Sequence, residues 1–247
     1  MENFLLFVLV GFVAQLIDGM LGMAYGVSAT SFLLSLGVAP AVASASVHAA
    51  EVVTTGFSGL SHLRFGNVDR TIVRRLLVPG VLGAVAGAYF LVSIPGEVLK
   101  PWIAAYLLVM GGVILSKAIR FRRPDGKEKH HHLVPLGLAG GFFDAVGGGG
   151  WGPIVTGTLV ARGNTPRFTI GSVNLAEFFV TVAASATFIA TIGLSYWEAI
   201  AGLALGGALA APIAAWATSR VPARPLLALV GLTVVALSVR TIWLALG

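Results

Sequence analysis

Two stretches of this chain pair an aspartate with a run of glycines: DGMLGMAYG, from Asp18 to Gly26, and DAVGGGGWG, from Asp144 to Gly152. Glycine weakens a helix and lets a ligand or a second backbone come close. A helix restarted after such a break opens with N–H groups that lack intrahelical acceptors and with the positive end of its dipole. That combination attracts anions. Gly22, Tyr25 and Gly26 in the first stretch, and Gly148, Gly149, Gly150, Trp151 and Gly152 in the second, are therefore candidate contacts for a small anion. Pro153 suits a first helical position, and Ser28 can cap the counterpart. Replacing Gly150 or Gly152 with Val is expected to obstruct the backbone approach while leaving the helices assembled. A soluble phosphate-binding loop is excluded, because Trp, Gly and Pro follow the glycines where a Lys and a Ser or Thr are needed.

A second pair of motifs adds side chains. SVHAAE (Ser46 to Glu51) puts His48 and Glu51 at i and i+3 on one helix face, and SVNLAE (Ser172 to Glu177) repeats the pattern with Asn174 and Glu177. Ser46, His48, Ser172 and Asn174 are candidate donors to an anion. Glu51, Glu177, Asp18 and Asp144 are candidate coupling groups, since ionisable side chains inside a membrane are costly and are kept for function by default. A His-x-x-Glu pair can also ligate a metal, but only the first half carries the His, so the sequence assigns no metal site. No cofactor, nucleic-acid or hydrolase motif appears, and the chain reads as a non-enzyme. Small residues also serve tight packing in membranes, yet packing makes no demand for an Asp before the break in both halves.

The elements that hold these groups follow from composition. With 57% hydrophobic and 11% charged residues, and a mean hydropathy of +0.92, the chain is too apolar for an ordinary soluble domain. Its segments lack the alternation of a β-barrel. It reads as an all-α polytopic membrane protein, with apolar segments at roughly 4 to 37, 40 to 61, 71 to 93, 98 to 119, 133 to 161, 166 to 190, 196 to 218 and 224 to 246. The start of the chain has Glu2 and no early Lys or Arg, so it reads as a first membrane segment and not as a cleaved signal. Cysteine is absent, which excludes disulfides and thiolate chemistry.

The polar stretch RFRRPDGKEKHHH (Arg120 to His132) divides two halves that resemble each other. A shift of 126 positions lays Gly11, Asp18, Gly22, Gly26, Pro40, Ser46, Glu51 and Thr55 on Gly137, Asp144, Gly148, Gly152, Pro166, Ser172, Glu177 and Thr181, with Tyr25 on Trp151 and His48 on Asn174. One inserted residue later, Gly66 and Gly80 match Gly193 and Gly207. The expected organisation is a first transmembrane repeat at 1–119, a basic cytoplasmic linker at 120–132 and a second repeat at 133–247. Segment 4 to 37 as one straight helix would be about 50 Å long, against a hydrocarbon core of about 30 Å, so a break is expected inside it. If each over-long segment enters and returns, the second half is inverted, and every Lys and Arg except Lys100 and Arg240 falls on one side. The positive-inside rule favours that arrangement: two inverted repeats, each a broken, re-entrant-like helical element followed by three transmembrane helices.

DGMLGMAYG, SVHAAE and GFSGLSHLRFGNVD, followed by DAVGGGGWGP and SVNLAEFF, resemble the two repeats of the TauE/SafE (TSUP) family of sulfite and organosulfonate exporters, over nearly the whole chain. The resemblance implies a multi-pass permease of the cytoplasmic (inner) cell membrane that moves small sulfur-containing oxyanions, as a secondary carrier coupled to an ion. The expected function is transport of sulfite, a sulfonate or a related anion, bound at the midplane between the breaks and coupled to protons or, as the alternative ion, Na+. A dianion is repelled by a carboxylate in a low-dielectric site, so its binding is expected to be favoured when at least one of Glu51 and Glu177 is protonated. The competing expectation is a cation or metal permease that uses Glu51, Glu177, Asp18 and Asp144 to hold the cargo.

Overall fold

The computed structural model describes residues 2–119, 132–217 and 223–246. The expected linker therefore lies outside the described residues except for His132, and the loop expected at 219 to 223 lies outside them except for Ala223. The described residues form ten helices and no strand: α1 (Glu2–Leu21), α2 (Tyr25–Ser35), α3 (Pro40–Arg64), α4 (Arg70–Val92), α5 (Gly96–Ile119), α6 (Leu133–Gly147), α7 (Gly152–Ala161), α8 (Pro166–Thr191), α9 (Trp197–Ala217) and α10 (Ala223–Leu246). Stretches of α1, α4, α5, α8, α9 and α10 are long and apolar enough to cross a membrane.

The boundaries have local causes. Pro40 and Pro166 open α3 and α8, where a missing N–H costs nothing and the fixed φ suits a helix. Asp69 caps α4 by accepting from the Thr71 N–H at 2.7 Å. The two over-long apolar segments each break where the glycines fall, between α1 and α2 and between α6 and α7. Gly22 (φ +67°) and Gly148 (φ +63°) hold the left-handed conformation that ends a helix without a Cβ penalty. They are equivalent positions in the two halves.

At each break the chain doubles back. The Phe7 ring, early in α1, packs edge-on against Phe32, late in α2, with centroids 6.2 Å apart. In the second half a Cβ placed on Gly140 would stand 2.5 Å from Cγ2 of Val155. Each broken element is thus a helical hairpin, and α7 starts with a widened π turn over Gly152–Thr156.

The halves exchange partners in packing. Helix α1 packs on α9, and its equivalent α6 packs on α4; α3 packs on α9 and α8 on α4; α3 meets α8, and α5 meets α10. Small residues allow the close seams. A Cβ on Gly141 would collide with the carbonyl of Gly80, and one on Gly206 with the carbonyl of Val8. Contacts between Ser58 and Asn174, and between Thr55 and Thr181, show that α3 and α8 cross antiparallel. The Thr55 and Thr181 hydroxyls, equivalent in the two halves, come within 3.4 Å. The outer surface is apolar, with Trp102, Trp197, Trp216 and Trp243 exposed in the first or last two turns of their helices. That is the aromatic placement expected at bilayer interfaces.

Candidate functional site

The two hairpin turns meet back to back in the interior. A Cβ on Gly26 would lie 2.7 Å from Cα of Gly149 and 2.9 Å from a carboxylate oxygen of Glu51, and one on Gly152 would lie 2.5 Å from the carbonyl of Gly22. Thr30 donates to the Gly148 carbonyl, and Tyr106 donates to that of Gly149 at 3.2 Å. These glycines are where two backbones touch. A valine at Gly152 would therefore press on the other hairpin and disturb the assembled helices, contrary to the expectation from sequence.

Each aspartate caps the helix that follows its own break. Asp18, in the last turn of α1, accepts the Ala24 N–H at 2.9 Å and the Tyr25 N–H at 3.4 Å through Oδ1. Asp144, in the last turn of α6, accepts those of Gly150 at 2.8 Å and Trp151 at 2.9 Å, again through Oδ1. In this conformation the anionic group at each helix start is an aspartate side chain, which the dipole favours. Ser28 stands inside the first turn of α2, so the side-chain acceptor that serves this N-terminus is Asp18, not Ser28. The two aromatic residues beside the breaks are anchors. Tyr25 donates its hydroxyl proton to the Leu203 carbonyl at 3.0 Å, and Trp151 its indole N–H to the Val173 carbonyl at 3.2 Å. Each ring fits over a glycine of the opposite half: Tyr25 over Gly207 and Trp151 over Gly80.

Carboxylates of both halves lie at this contact: Asp18 and Asp144 cap the two helix starts, Glu51 reaches Gly26 of the first break, and Glu177 is buried on α8. His48 joins them from α3. Its Nδ1 lies 2.8 Å from the Ser44 carbonyl, so that nitrogen carries the donated proton, and its Nε2 faces Asp144 Oδ2 at 3.3 Å. Ser44 itself donates to the Ala145 carbonyl at 2.7 Å, pinning α3 to the second break. One ligand atom each from His48, Glu51 and Asp144 lie within 4.8 Å of one another. Glu51 Oε2 is buried without a hydrogen-bond partner. Among the described residues none of the four carboxylates is paired with a Lys or Arg. Exposure of 0% for His48, 1% for Glu51 and 6% for Glu177 makes the cluster closed to solvent.

The remaining sequence candidates sit on α3 and α8. Ser46 donates to the Val42 carbonyl at 2.7 Å. Ser172 donates to Phe168 at 2.6 Å and accepts the Asp69 N–H at 2.7 Å. Asn174 donates to the Ile170 carbonyl at 3.1 Å and accepts from Ser58 at 2.8 Å. All three have protein partners, which leaves His48 as the motif donor that faces the cluster. Ser44 and Lys117 carry no motif signal in the sequence. Ser44 lies one turn before His48. Lys117 reads as a charge at a span's end, but its Nζ donates to the Pro153 carbonyl at 2.8 Å, at the start of α7.

Residues 7–241 match the family model described as sulfite exporter TauE/SafE. The chain is similar to the probable membrane transporter protein YtnM of Bacillus subtilis (strain 168), 45% identical over 256 residues, which covers 99% of this chain and 85% of that protein. No solved structure matches it. A family match of this extent, on a chain whose interior is built around two helix breaks, makes the protein a member of the sulfite exporter TauE/SafE family and, as such, a multi-pass membrane transporter.

Proposed function

We propose that the protein is a secondary-active transporter of small sulfur-containing anions, sulfite or a sulfonate, in the cytoplasmic membrane, with Glu51 and Glu177 exchanging the coupling protons. The observation that carries the reading is the back-to-back contact of two capped helix breaks in the interior of a family member, an arrangement of discontinuous helices that suits a midplane site. In the closed conformation Asp18 and Asp144 fill the helix starts. An anion that reaches them replaces an aspartate on the same N–H groups. Like-charge repulsion in a dry site disfavours a dianion beside ionised carboxylates, so a proton taken up by the cluster improves anion binding. By reciprocity the bound anion then holds that proton more tightly.

The halves are proposed to be inverted about an axis in the membrane plane, with the ends of α3 and α7 near Arg64 and Ala161 on the cytoplasmic side. The antiparallel crossing of α3 and α8 and the doubling back at each break support this, since a parallel repeat would run these two helices the same way. Alternating access then means opening the closed cluster first to one side and then to the other.

A second reading, in which a cation is the cargo, is favoured by the convergence of His48 Nε2, Glu51 and Asp144 within 4.8 Å, a nitrogen-and-oxygen donor set suited to divalent metals. Flux in proteoliposomes separates the two. Sulfite or sulfonate accumulating under an imposed pH gradient supports the first reading. Divalent-metal flux without anion flux supports the second.

A further inference from the structure

We infer that Lys117 carries the charge of the transported anion, as the cationic contact at the mouth between the two hairpins. The inference rests on the anion reading above and deepens it. Lys117 lies in the last turn of α5 and is half-buried. Its Nζ donates to the Pro153 carbonyl in the widened first turn of α7 at 2.8 Å, and lies 4.0 Å from the sulfur of Met23 in the first break. It also occupies the space a side chain at Gly157 would need, because a Cβ there would collide with Nζ. One ammonium therefore touches the first break and the start of the second returning helix.

Its partners among the described residues do not balance it. An ammonium has three donors, and a carbonyl and a thioether satisfy part of that capacity and none of the charge. Among the described residues no carboxylate lies within ion-pair distance of Nζ. A partly buried cation without an anion is costly, and a Lys at a helix end ordinarily turns its head group out to water, whereas this one points inward to Pro153. The carboxylate cluster shows the complementary imbalance, with acids and no Lys or Arg partner. Among the described residues the charges are segregated: acids at the centre, Lys117 beside the breaks. A small oxyanion binds more favourably against Lys117 than among the carboxylates, and its oxygens can accept from the ammonium proton that Pro153 and Met23 leave and displace the weak thioether contact. The position is not duplicated, for the repeat equivalent of Lys117 is Leu244. The site therefore has one cationic end, on the side where α5 ends.

The test is flux of radiolabelled sulfite and of a sulfonate into proteoliposomes, with KM and Vmax measured for the wild type, Lys117→Gln, Lys117→Arg and Gly157→Ala. Removing the charge is expected to raise KM for both anions at least tenfold, with a smaller change in Vmax. The arginine variant keeps most of the affinity, and Gly157→Ala, which pushes Nζ aside, raises KM with the charge intact. If Lys117→Gln fails to assemble, the Gly157→Ala comparison decides on its own. Wild-type anion flux with an unmoved KM in the variants overturns the Lys117 assignment and leaves the function standing. Cation flux with no sulfite or sulfonate flux in the wild type overturns both.

Discussion

His48 Nε2 lies 3.3 Å from Asp144 Oδ2, although the two residues are 96 positions apart. The contact joins α3 of the first half to the break of the second. The opposite oxygen of the same carboxylate caps α7, so Asp144 ties a helix start to a motif side chain on another helix. With Nδ1–H given to the Ser44 carbonyl, His48 presents either a lone pair or a second proton to the carboxylate. A proton or a cation between these two atoms turns a repulsive pair into an attractive one.

Removing the Asp144 cap should destabilise the fold. Asp144→Ala removes the oxygen that accepts two N–H groups and is expected to cost at least roughly the 0.5–2 kcal/mol that capping residues contribute. Asp144→Asn keeps a carbonyl oxygen for both N–H groups and should cost less. Thermal unfolding of both variants in the same detergent gives the order; equal midpoints would show that the cap bonds contribute nothing to stability.

The coupling proposal predicts a separation of binding from driving force. Glu177→Gln mimics the neutral acid, so anion exchange should persist while its pH dependence flattens. Glu51→Gln should act in the same direction, more weakly if His48 takes over the proton. With the double variant, concentrative uptake under an imposed pH gradient should vanish. Retained accumulation would make both glutamates hydrogen-bonding groups only.

The contact between the hairpins predicts which glycines tolerate a methyl. A Cβ at Gly149 would collide with the backbone of Val27, and one at Gly152 would sit 2.5 Å from Cα of Met23. Alanine at either position should lower the yield of folded protein. Gly112 in α5 meets nothing within 4 Å, and alanine there should stabilise by about 1 kcal/mol through helix propensity. Size-exclusion profiles and unfolding midpoints compare the three.

Orientation is open to cysteine labelling, because the chain has no cysteine of its own. Arg64, Glu97, Ala161 and Glu198 are all exposed. For inverted halves, a membrane-impermeant maleimide should reach cysteines at Glu97 and Glu198 from outside, and at Arg64 and Ala161 only after the membrane is opened. Labelling of Ala161→Cys from outside would reject the inverted arrangement.

The helices and both breaks were legible in the sequence because their signals are local: apolar runs of spanning length, glycines after an aspartate, prolines at helix starts. The pairing of Asp18 with Asp144 was legible as well, since repetition puts distant residues in register. The contacts that define the site were not. Nothing in SVHAAE says that Asp144 stands opposite His48, and nothing near Asp18 says that its carboxylate reaches forward to the Tyr25 N–H. Both depend on the hairpin turning back, which brings together residues that neither periodicity nor spacing connects. The contact of Lys117 with Pro153 is hidden in the sequence for a related reason. A basic residue at the end of an apolar run looks like an interfacial charge, and only the tertiary arrangement shows its head group under Pro153.

The exchange of partners between the halves also bears on how the chain is made. Of the described helices α1 is synthesised before the others, yet the seam it packs into belongs to α9, eight helices later. Through most of translation its small-residue face can meet only lipid or a chaperone. A chain interrupted after α8 would leave α1 without its lasting neighbour, while α4 and α6 would already have met. Such a product should be recognised by quality control at the first helix and not at the severed end. Co-expressed half-molecules, by contrast, carry between them every surface the assembled bundle requires.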